Sequence, residues 1–389
     1  MVDIGAVVLG ATSCTGLDAI RSLGEKGIPV AIADTEANGI SFYSRFVKDR
    51  YLLPSDKEKI VPSLLKLGLR KRGWVLIPTT DLYVTVISQK WEQLSRYFTL
   101  TTPPWNITKY CIDKFLTCKI AEKTGIPIPQ TFCPQSKNEL TKVIEQMDFK
   151  EKTWILKSRS KVLFPKKPSD LLYKPKALEI NSKNDLAKLY LKNLEETGEF
   201  ALIQERIPGL PDSNFNARII MNSHQKPVVM FTDKKIRQHP LFFGVGTYRE
   251  SVYAPEIMEL GLRFLRTIKY HGMAYLEFKK DPRDGKTKLI EVNPRLGMGV
   301  SLPKACGVDL TYTLYNTALG IQHESYRNFK TGIRWIYLKH DLWTIYRNRD
   351  LLPWGKTIKD VIANSGRTKA FAYFSIKDPI PFFLSLSKR

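Results

Sequence analysis

Residues 273–295 read MAYLEFKKDPRDGKTKLIEVNPR, and their pattern decides the architecture. Met273–Lys280 and Lys286–Asn293 are strand-like, and DPRDGK between them supplies turn residues. They read as an antiparallel hairpin. Setting Glu277 opposite Glu291 places Leu276 against Val292 and Phe278 against Ile290. These four apolar side chains then share one face, while Glu277, Glu291 and Asn293 share the other. Two carboxylates directly opposite each other repel, so the pairing points to a bound cation. Hard oxygen donors suit Mg²⁺, which takes one or two carboxylates and fills its remaining positions with water and phosphate. An exposed hairpin with ordinary solvated acids shows the same alternation, so the rest of the chain must decide.

The first hundred residues alternate strand and helix. Ile4–Leu9 is a continuous apolar run, followed by the turn GATSCTG and an amphipathic stretch to Leu23. A second strand, Pro29–Ala33, ends at Asp34, and a third, Trp74–Pro78, ends in Thr79, Thr80 and Asp81. This is a βαβ pattern with a parallel sheet buried on both faces. Asp34 follows Gly10 by 24 residues, which invites an NAD(P)-dependent oxidoreductase reading. Thr12 and Thr15, however, stand where the second and third glycines of that fingerprint belong. Gly10 and Gly16 still allow a tight turn whose amides face an anion. Further on, Lys109–Thr124 reads as one helix, closed by Gly125, Pro127 and Pro129. Thr153–Lys157 and Ala201–Gln204 read as short strands, the first delivering a lysine and the second running into ERIPG.

Composition narrows the classes. The 389 residues are 43% hydrophobic, enough for a sizeable core, and length alone implies two or three domains. Cysteines 14, 111, 118, 133 and 306 form no CxxC pair, which excludes a disulfide scaffold and a zinc ribbon and suits a reducing cytoplasm. Cys14 reads as a small buried residue rather than a reactive thiol. The start MVDIGAVVLG lacks the basic opening of a secretory signal, and no apolar run is long enough to span a bilayer, so a cytoplasmic location is expected. The five histidines are isolated, and GxSxG and GxxxxGK[ST] are absent. Catalytic zinc, a common hydrolase elbow and a P-loop are therefore set aside. The formal charge of +23 favours polyanions, with dense patches at 157–176 and 327–349. The first patch holds three prolines and no glycine and reads as a loop or lid. No zinc finger, RNP-like motif or long basic helix supports dedicated nucleic-acid binding. A non-catalytic polyanion- or nucleotide-binding protein remains the other alternative. The aromatic stretch Trp335–Trp354 reads as packing.

Glu291–Arg295, E-V-N-P-R, with an acid on the partner strand, resembles the Mg²⁺-binding strand pair of ATP-grasp carboxylate–amine ligases. IDK at 112–114, followed by a helix and GIPIPQT, is similar to the segment that opens such domains; WILK at 154–157 resembles the phosphate-lysine strand and LIQERIPG at 202–209 the adenine hinge. The tail, with Asp378-Pro379, resembles a D-aspartate ligase-like subgroup. The resemblance implies a fold of mixed α/β and α+β class: a Rossmann-like pre-ATP-grasp domain over 1–108, an ATP-grasp domain over 109–324 with a lid at about 130–200, and a basic C-terminal extension over 325–389.

It also implies roles. Lys114 and Lys157 would neutralise ATP phosphates; Gln204 and the backbone of Glu205 and Ile207 would contact adenine, and Asp212 the ribose. Glu277, Glu291 and Asn293 would hold Mg²⁺ or Mn²⁺, and Arg295 would stabilise the carboxylate substrate and anionic intermediate. Lys235 and Arg237 are further phosphate or substrate candidates, with Gly244 and Gly246 at a nearby turn. Ser158–Tyr173 lacks the glycine-rich lid loop of many relatives, and Lys161, Lys166 or Lys167 would replace it by charge. The expected activity is ATP- and Mg²⁺-dependent coupling of a small carboxylate to an amine, with Thr12, Ser13, Thr79–Asp81 and the residues after Arg295 setting specificity. The basic surface suggests a phosphorylated or nucleotide-linked acceptor, or one at a membrane surface.

Overall fold

The computed structural model describes residues 4–10, 12–159, 177–321 and 328–387. Its first sheet is parallel and five-stranded: β1 (Ala6–Leu9), β2 (Val30–Asp34), β3 (Val47–Leu52), β4 (Val75–Pro78) and β5 (Thr99–Leu100), in the order β3-β2-β1-β4-β5. Period-2 alternation divides β1 between two cores. Ala6 and Val8 join Leu17 and Ile20 of the helix Cys14–Gly24, while Val7 and Leu9 join Ile60 and Leu64 of the helix Lys57–Arg70. Strand order reverses between β1 and β4, opening a crevice at the carboxyl ends of those strands. Gly10 lies there at φ +76°, and a Cβ would stand 2.6 Å from Thr80 Cγ2, so the turn accepts no side chain.

Next, the expected single helix over 109–124 is two, Trp105–Ile112 and Lys114–Lys123. The break is chemical: the Asp113 carboxylate accepts from the amides of Phe115 and Leu116 at 2.9 and 3.2 Å, starting the second helix. A four-stranded sheet follows, made of β6 (Thr131–Phe132), β7 (Trp154–Lys157), β8 (Leu178–Ile180) and β9 (Leu202–Glu205) in the order β6-β9-β7-β8.

The third sheet carries the hairpin. It comprises β10 (Asn214–Met221), β11 (Pro227–His239), β12 (Val245–Ser251), β13 (Gly272–Lys280), β14 (Thr287–Asn293), β15 (Arg334–Ile336) and β16 (Thr368–Phe371), ordered β14-β13-β10-β11-β12-β15-β16. One face packs Ala217, Ile219, Leu276, Phe278 and Val292 against Leu260 and Phe264 of the helix Pro255–Thr267. Glu277 lies opposite Glu291 and Leu276 opposite Val292, as the alternation requires. Phe278, however, pairs with Leu289 and not Ile290, across a bulge. The Leu289 amide donates to the Pro127 carbonyl at 2.8 Å, so GIPIP pins Leu289 into the core and leaves Ile290 half-buried.

Residues beyond 325, read as a basic extension, contribute β15 and β16 to this sheet and return to the first. Asp378 is buried, pairs with Arg21 at 3.0 Å, and accepts from Ser44 Oγ at 2.8 Å and the Arg45 amide at 3.0 Å. Asp378→Ala leaves the Arg21 guanidinium buried without its charge partner. The expected cost is about 3–5 kcal/mol, read as a lower urea midpoint at unchanged m-value.

Candidate active site

Four elements converge on the polar face of the hairpin. On β13, Tyr275, Glu277 and Lys279 alternate onto it; Asn216 and Arg218 do so from β10, Asp233 and Lys235 from β11, and Glu291 and Asn293 from β14. Asn293 Nδ2 donates to Glu291 Oε1 at 3.1 Å, and Lys235 Nζ meets Glu277 Oε2 at 2.7 Å. Among the described residues, no group of three His, Cys, Asp or Glu is placed to hold a metal. Two facing carboxylates and an amide are instead the sparse oxygen set that fits Mg²⁺ sharing its shell with phosphate and water. Lys235, nearly buried, compensates part of that acid charge and sits where the sequence expected a phosphate cation.

Of the remaining nucleotide candidates, Lys157, Gln204 and Glu205 lie on the four-stranded sheet. Lys157 Nζ donates to Gln204 Oε1 at 2.8 Å, and Gln204 Nε2 to Thr131 Oγ1 at 2.9 Å. Lys114 Nζ reaches the Ser158 carbonyl at 2.9 Å, so the two lysines meet at the end of β7. Asp113 also binds Arg159 at 2.8 Å, tying that strand end to the IDK turn. Asp212 is exposed on the turn Pro211–Ser213. Lys161, Lys166, Lys167 and most of the proposed lid loop lie outside the described residues.

Sequence reading missed two ties between the hairpin and residues 205–209. Lys279 Nζ donates to the carbonyls of Ile207 and Gly209 at 3.1 and 3.0 Å. Arg283, in the hairpin turn, binds Glu205 at 2.6 Å and Asp281 at 2.6 Å. Burial, with Arg206 and Lys235 nearby, brings the Lys279 ammonium down to about 8. The available signal was period 2, since Lys279 stands two residues after Glu277.

Beneath the site lies a buried network with no sequence motif. Asp233 accepts from Arg218 at 2.7 Å, Arg249 at 3.0 Å and Asn216 at 2.8 Å. Tyr275 donates its hydroxyl to Asn216 Oδ1 at 2.8 Å and accepts from Arg249 at 2.9 Å. Burial opposes ionisation of Asp233, but the two guanidiniums override it and hold the carboxyl below its ordinary range. Two arginines against one aspartate leave a positive charge under the hairpin, which favours anionic ligands. A Cβ on Gly246 would stand 2.8 Å from the Arg249 guanidinium, so that glycine makes room for it. Arg237 is a correction: it is buried and held by Asp341 at 2.7 Å, which makes it a structural cation.

Arg295 grips Asp81 with two bonds of 2.9 Å, joining the hairpin's end to the start of the helix Asp81–Gln89 at the crevice of the first sheet. In that crevice Asp34 accepts from the Thr12 amide at 3.2 Å and from Tyr83 Oη at 3.1 Å. The carboxylate whose spacing from Gly10 invited a dinucleotide reading thus orders the turn. Ser13 makes no capping bond with its side chain. Cys14 is buried, and burial raises its thiol far above the ordinary range, which removes it as a nucleophile.

Asp18, behind the same turn, is pushed up to about 7 by burial, against the pull of Arg21 and a bond from the Ser301 amide at 3.2 Å. Its folded pKa exceeds its unfolded one, so the folded state binds the extra proton. The associated stability is present at acid pH and is lost as pH rises through 7. Between pH 5 and 8 the wild type is expected to lose roughly 2–3 kcal/mol more than Asp18→Asn, measured by urea unfolding.

Residues 250–325 match the model of the carbamoyl-phosphate synthase L chain ATP binding domain. A D-aspartate ligase of Enterococcus faecium (strain Aus0004) is 26% identical over 266 residues, 66% of this chain and 62% of the relative. The chain thus spans less than two thirds of that relative's length. The biotin carboxylase domain of Hydrogenobacter thermophilus 2-oxoglutarate carboxylase, in complex with MgADP, ADP and bicarbonate, superposes with a TM-score of 0.68 at 14% identity, over 86% of this chain and 74% of the other. An L-amino acid ligase from Bacillus licheniformis gives 0.61 at 13% identity, over 81% and 74%. At these identities the structural likeness is one of fold.

Proposed function

We propose that this chain, which belongs to the ATP-grasp superfamily, is an ATP- and Mg²⁺-dependent ligase that activates a carboxylate as an acyl phosphate and couples it to an amine. The observation that carries this reading is the Glu277–Glu291 pair with Asn293, set between Lys235 and Arg295. Bound at Glu277, Glu291 and Asn293, Mg²⁺ would supply charge neutralisation for phosphoryl transfer. In this reading Lys114 and Lys157 flank the phosphates, while Gln204, Glu205, Ile207 and Asp212 hold the nucleoside. Lys279 and Arg283 keep the hinge carbonyls and the Glu205 carboxylate in place.

A carboxylate oxygen attacks the γ-phosphorus, and ADP leaves with the bridging oxygen. The amine nitrogen then attacks the carbonyl carbon and loses a proton, and phosphate departs with the former carboxylate oxygen. Catalysis of the first step is positioning and charge neutralisation. Arg295 orients the carboxylate and meets the developing oxyanion, with Asp81 fixing its planar fork. The crevice above Thr12, Ser13 and Thr79 supplies the substrate pocket.

Residues 1–108 serve as the substrate-side domain, 109–324 as the nucleotide domain, and 325–389 complete the third sheet. Five free thiols suit a reducing cytoplasm. Amino acids or peptide-type molecules are the substrates, with D-aspartate first among carboxylates because of the Enterococcus relative. The test supplies ATP, Mg²⁺ and a panel of amino acids and small carboxylates and follows the products. Substrate-dependent ADP and phosphate are expected; AMP and pyrophosphate would refute the acyl-phosphate route.

A further inference from the structure

The helix Leu338–Arg347 is inside out. Its inward face carries His340, Asp341, Thr344 and Ile345, all buried. The polar members are bonded: Asp341 by Arg237 at 2.7 Å and Thr247 at 2.8 Å, and Thr344 Oγ1 to the His340 carbonyl at 2.7 Å. Its outward face presents Leu338, Leu342, Trp343 and Tyr346, with Tyr346 55% exposed. Surface helices ordinarily show the opposite arrangement. The stretch expected to be packing therefore splits, with Trp335 in the core and Trp343 at the surface.

A second outward apolar face adjoins it. The helix Ile380–Ser387 turns Ile380, Phe383 and Leu386 outward at three-residue spacing, Phe383 being 65% exposed. Ile376, just before it, is 85% exposed. Lys339 Nζ lies 3.4 Å from the Ser385 carbonyl, so the two helices are neighbours. Within 338–347 and 374–387, the exposed charged residues are Lys339, Arg347 and Lys377; the only acids there, Asp341 and Asp378, are buried and paired. The Arg347 guanidinium stands 4.7 Å over the Trp343 ring, which itself stacks on Tyr346.

We propose that these two helices form a docking surface for an anionic phospholipid bilayer. Neighbouring exposed apolar faces of this kind mark an interaction site. Its chemistry selects the occupant. Indole and phenol rings with aliphatic neighbours suit the headgroup–acyl boundary, and interleaved cations suit anionic headgroups. A second copy of the chain would set Lys339, Arg347 and Lys377 against their own equivalents, which disfavours self-association through this face. No helix among the described residues is long and apolar enough to cross a membrane, so the contact is peripheral. The inference is independent of the ligase reading, since its residues lie outside the proposed site.

The test is co-sedimentation of the full chain with phosphatidylcholine vesicles, with and without phosphatidylglycerol. A chain of charge +23 is drawn to any anionic surface, so the decisive variant leaves charge unchanged. The triple variant Leu342→Ser, Trp343→Ser, Phe383→Ser is expected to bind phosphatidylglycerol vesicles at least tenfold more weakly, at an unchanged melting temperature. Lys339→Gln with Arg347→Gln is expected to weaken binding and flatten its salt dependence. Should the triple variant fold poorly, brominated lipids supply a second readout: they quench tryptophan emission in the wild type, and Trp343→Phe removes that part of the quenching. Equal binding by wild type and triple variant, equal binding to neutral and anionic vesicles, or quenching indifferent to Trp343→Phe would each overturn the proposal. A dimer by light scattering that the triple variant abolishes would assign the face to a second copy instead.

Discussion

Glu291→Ala is expected to abolish ATP-dependent turnover, with kcat/KM falling on the order of a thousandfold, about 4 kcal/mol of transition-state stabilisation. The carboxylate has a defined position, opposite Glu277 and held by Asn293 at 3.1 Å. Its removal leaves one carboxylate and one amide for the cation, too little negative charge beside Lys235. Glu291→Gln separates function from folding. The amide retains an acceptor for Asn293 but lacks the charge, and it relieves repulsion across the strand pair. Activity should fall nearly as far as in the alanine variant, while the melting temperature stays level or rises. Loss of activity together with a collapse in stability would instead make Glu291 a structural residue.

Asp233→Ala carries the largest expected stability effect. Arg218 and Arg249 are both fully buried, and Asp233 is the carboxylate they share. Without it two guanidiniums lie in the core without a compensating charge, and Asn216 loses an acceptor. Removing one member of a buried ion pair costs about 3–5 kcal/mol, and a shared member belongs at the upper end. Urea unfolding reads this directly. Replacing Arg218, Asp233 and Arg249 together by apolar residues of similar volume should cost much less, because no orphaned charge remains. A single Asp233→Ala change costing under about 1 kcal/mol would show that the two buried guanidiniums do not depend on this carboxylate.

Much of this was legible in the chain because it depends on short-range periodicity. The facing of Glu277 and Glu291 follows from side chains alternating with period 2, and β1 from a continuous apolar run that ends at the Gly10 turn. Lys157 and Gln204 come together because Gln204 lies opposite Ile155 in the antiparallel pair of β7 and β9, on the same face as Lys157 two residues on. What escaped depended on partners distant in the chain. The bulge after Glu277 exists because the Pro127 carbonyl claims the Leu289 amide, a bond no local pattern shows. The break at Asp113 reflects a side chain competing for helical amides, visible only once its N-cap role is recognised. The Arg218–Asp233–Arg249 network draws one residue from each of three strands, so none forms a motif. Arg295 was read as a candidate site cation without its grip on Asp81, which joins residues more than two hundred positions apart. The outward apolar face of Leu338–Arg347 was hidden for a related reason, since amphipathicity reveals two faces without saying which one is buried.

The acyl phosphate is the central claim, and isotope transfer tests it most directly. The carboxylate that supports turnover, labelled with ¹⁸O in both oxygens, is supplied with ATP, Mg²⁺ and the amine, and the released phosphate is analysed by mass spectrometry. One ¹⁸O per phosphate, with ADP formed in equal amount and neither seen with Glu291→Ala, is the predicted result. Label appearing in AMP, or phosphate free of label while product accumulates, would contradict it.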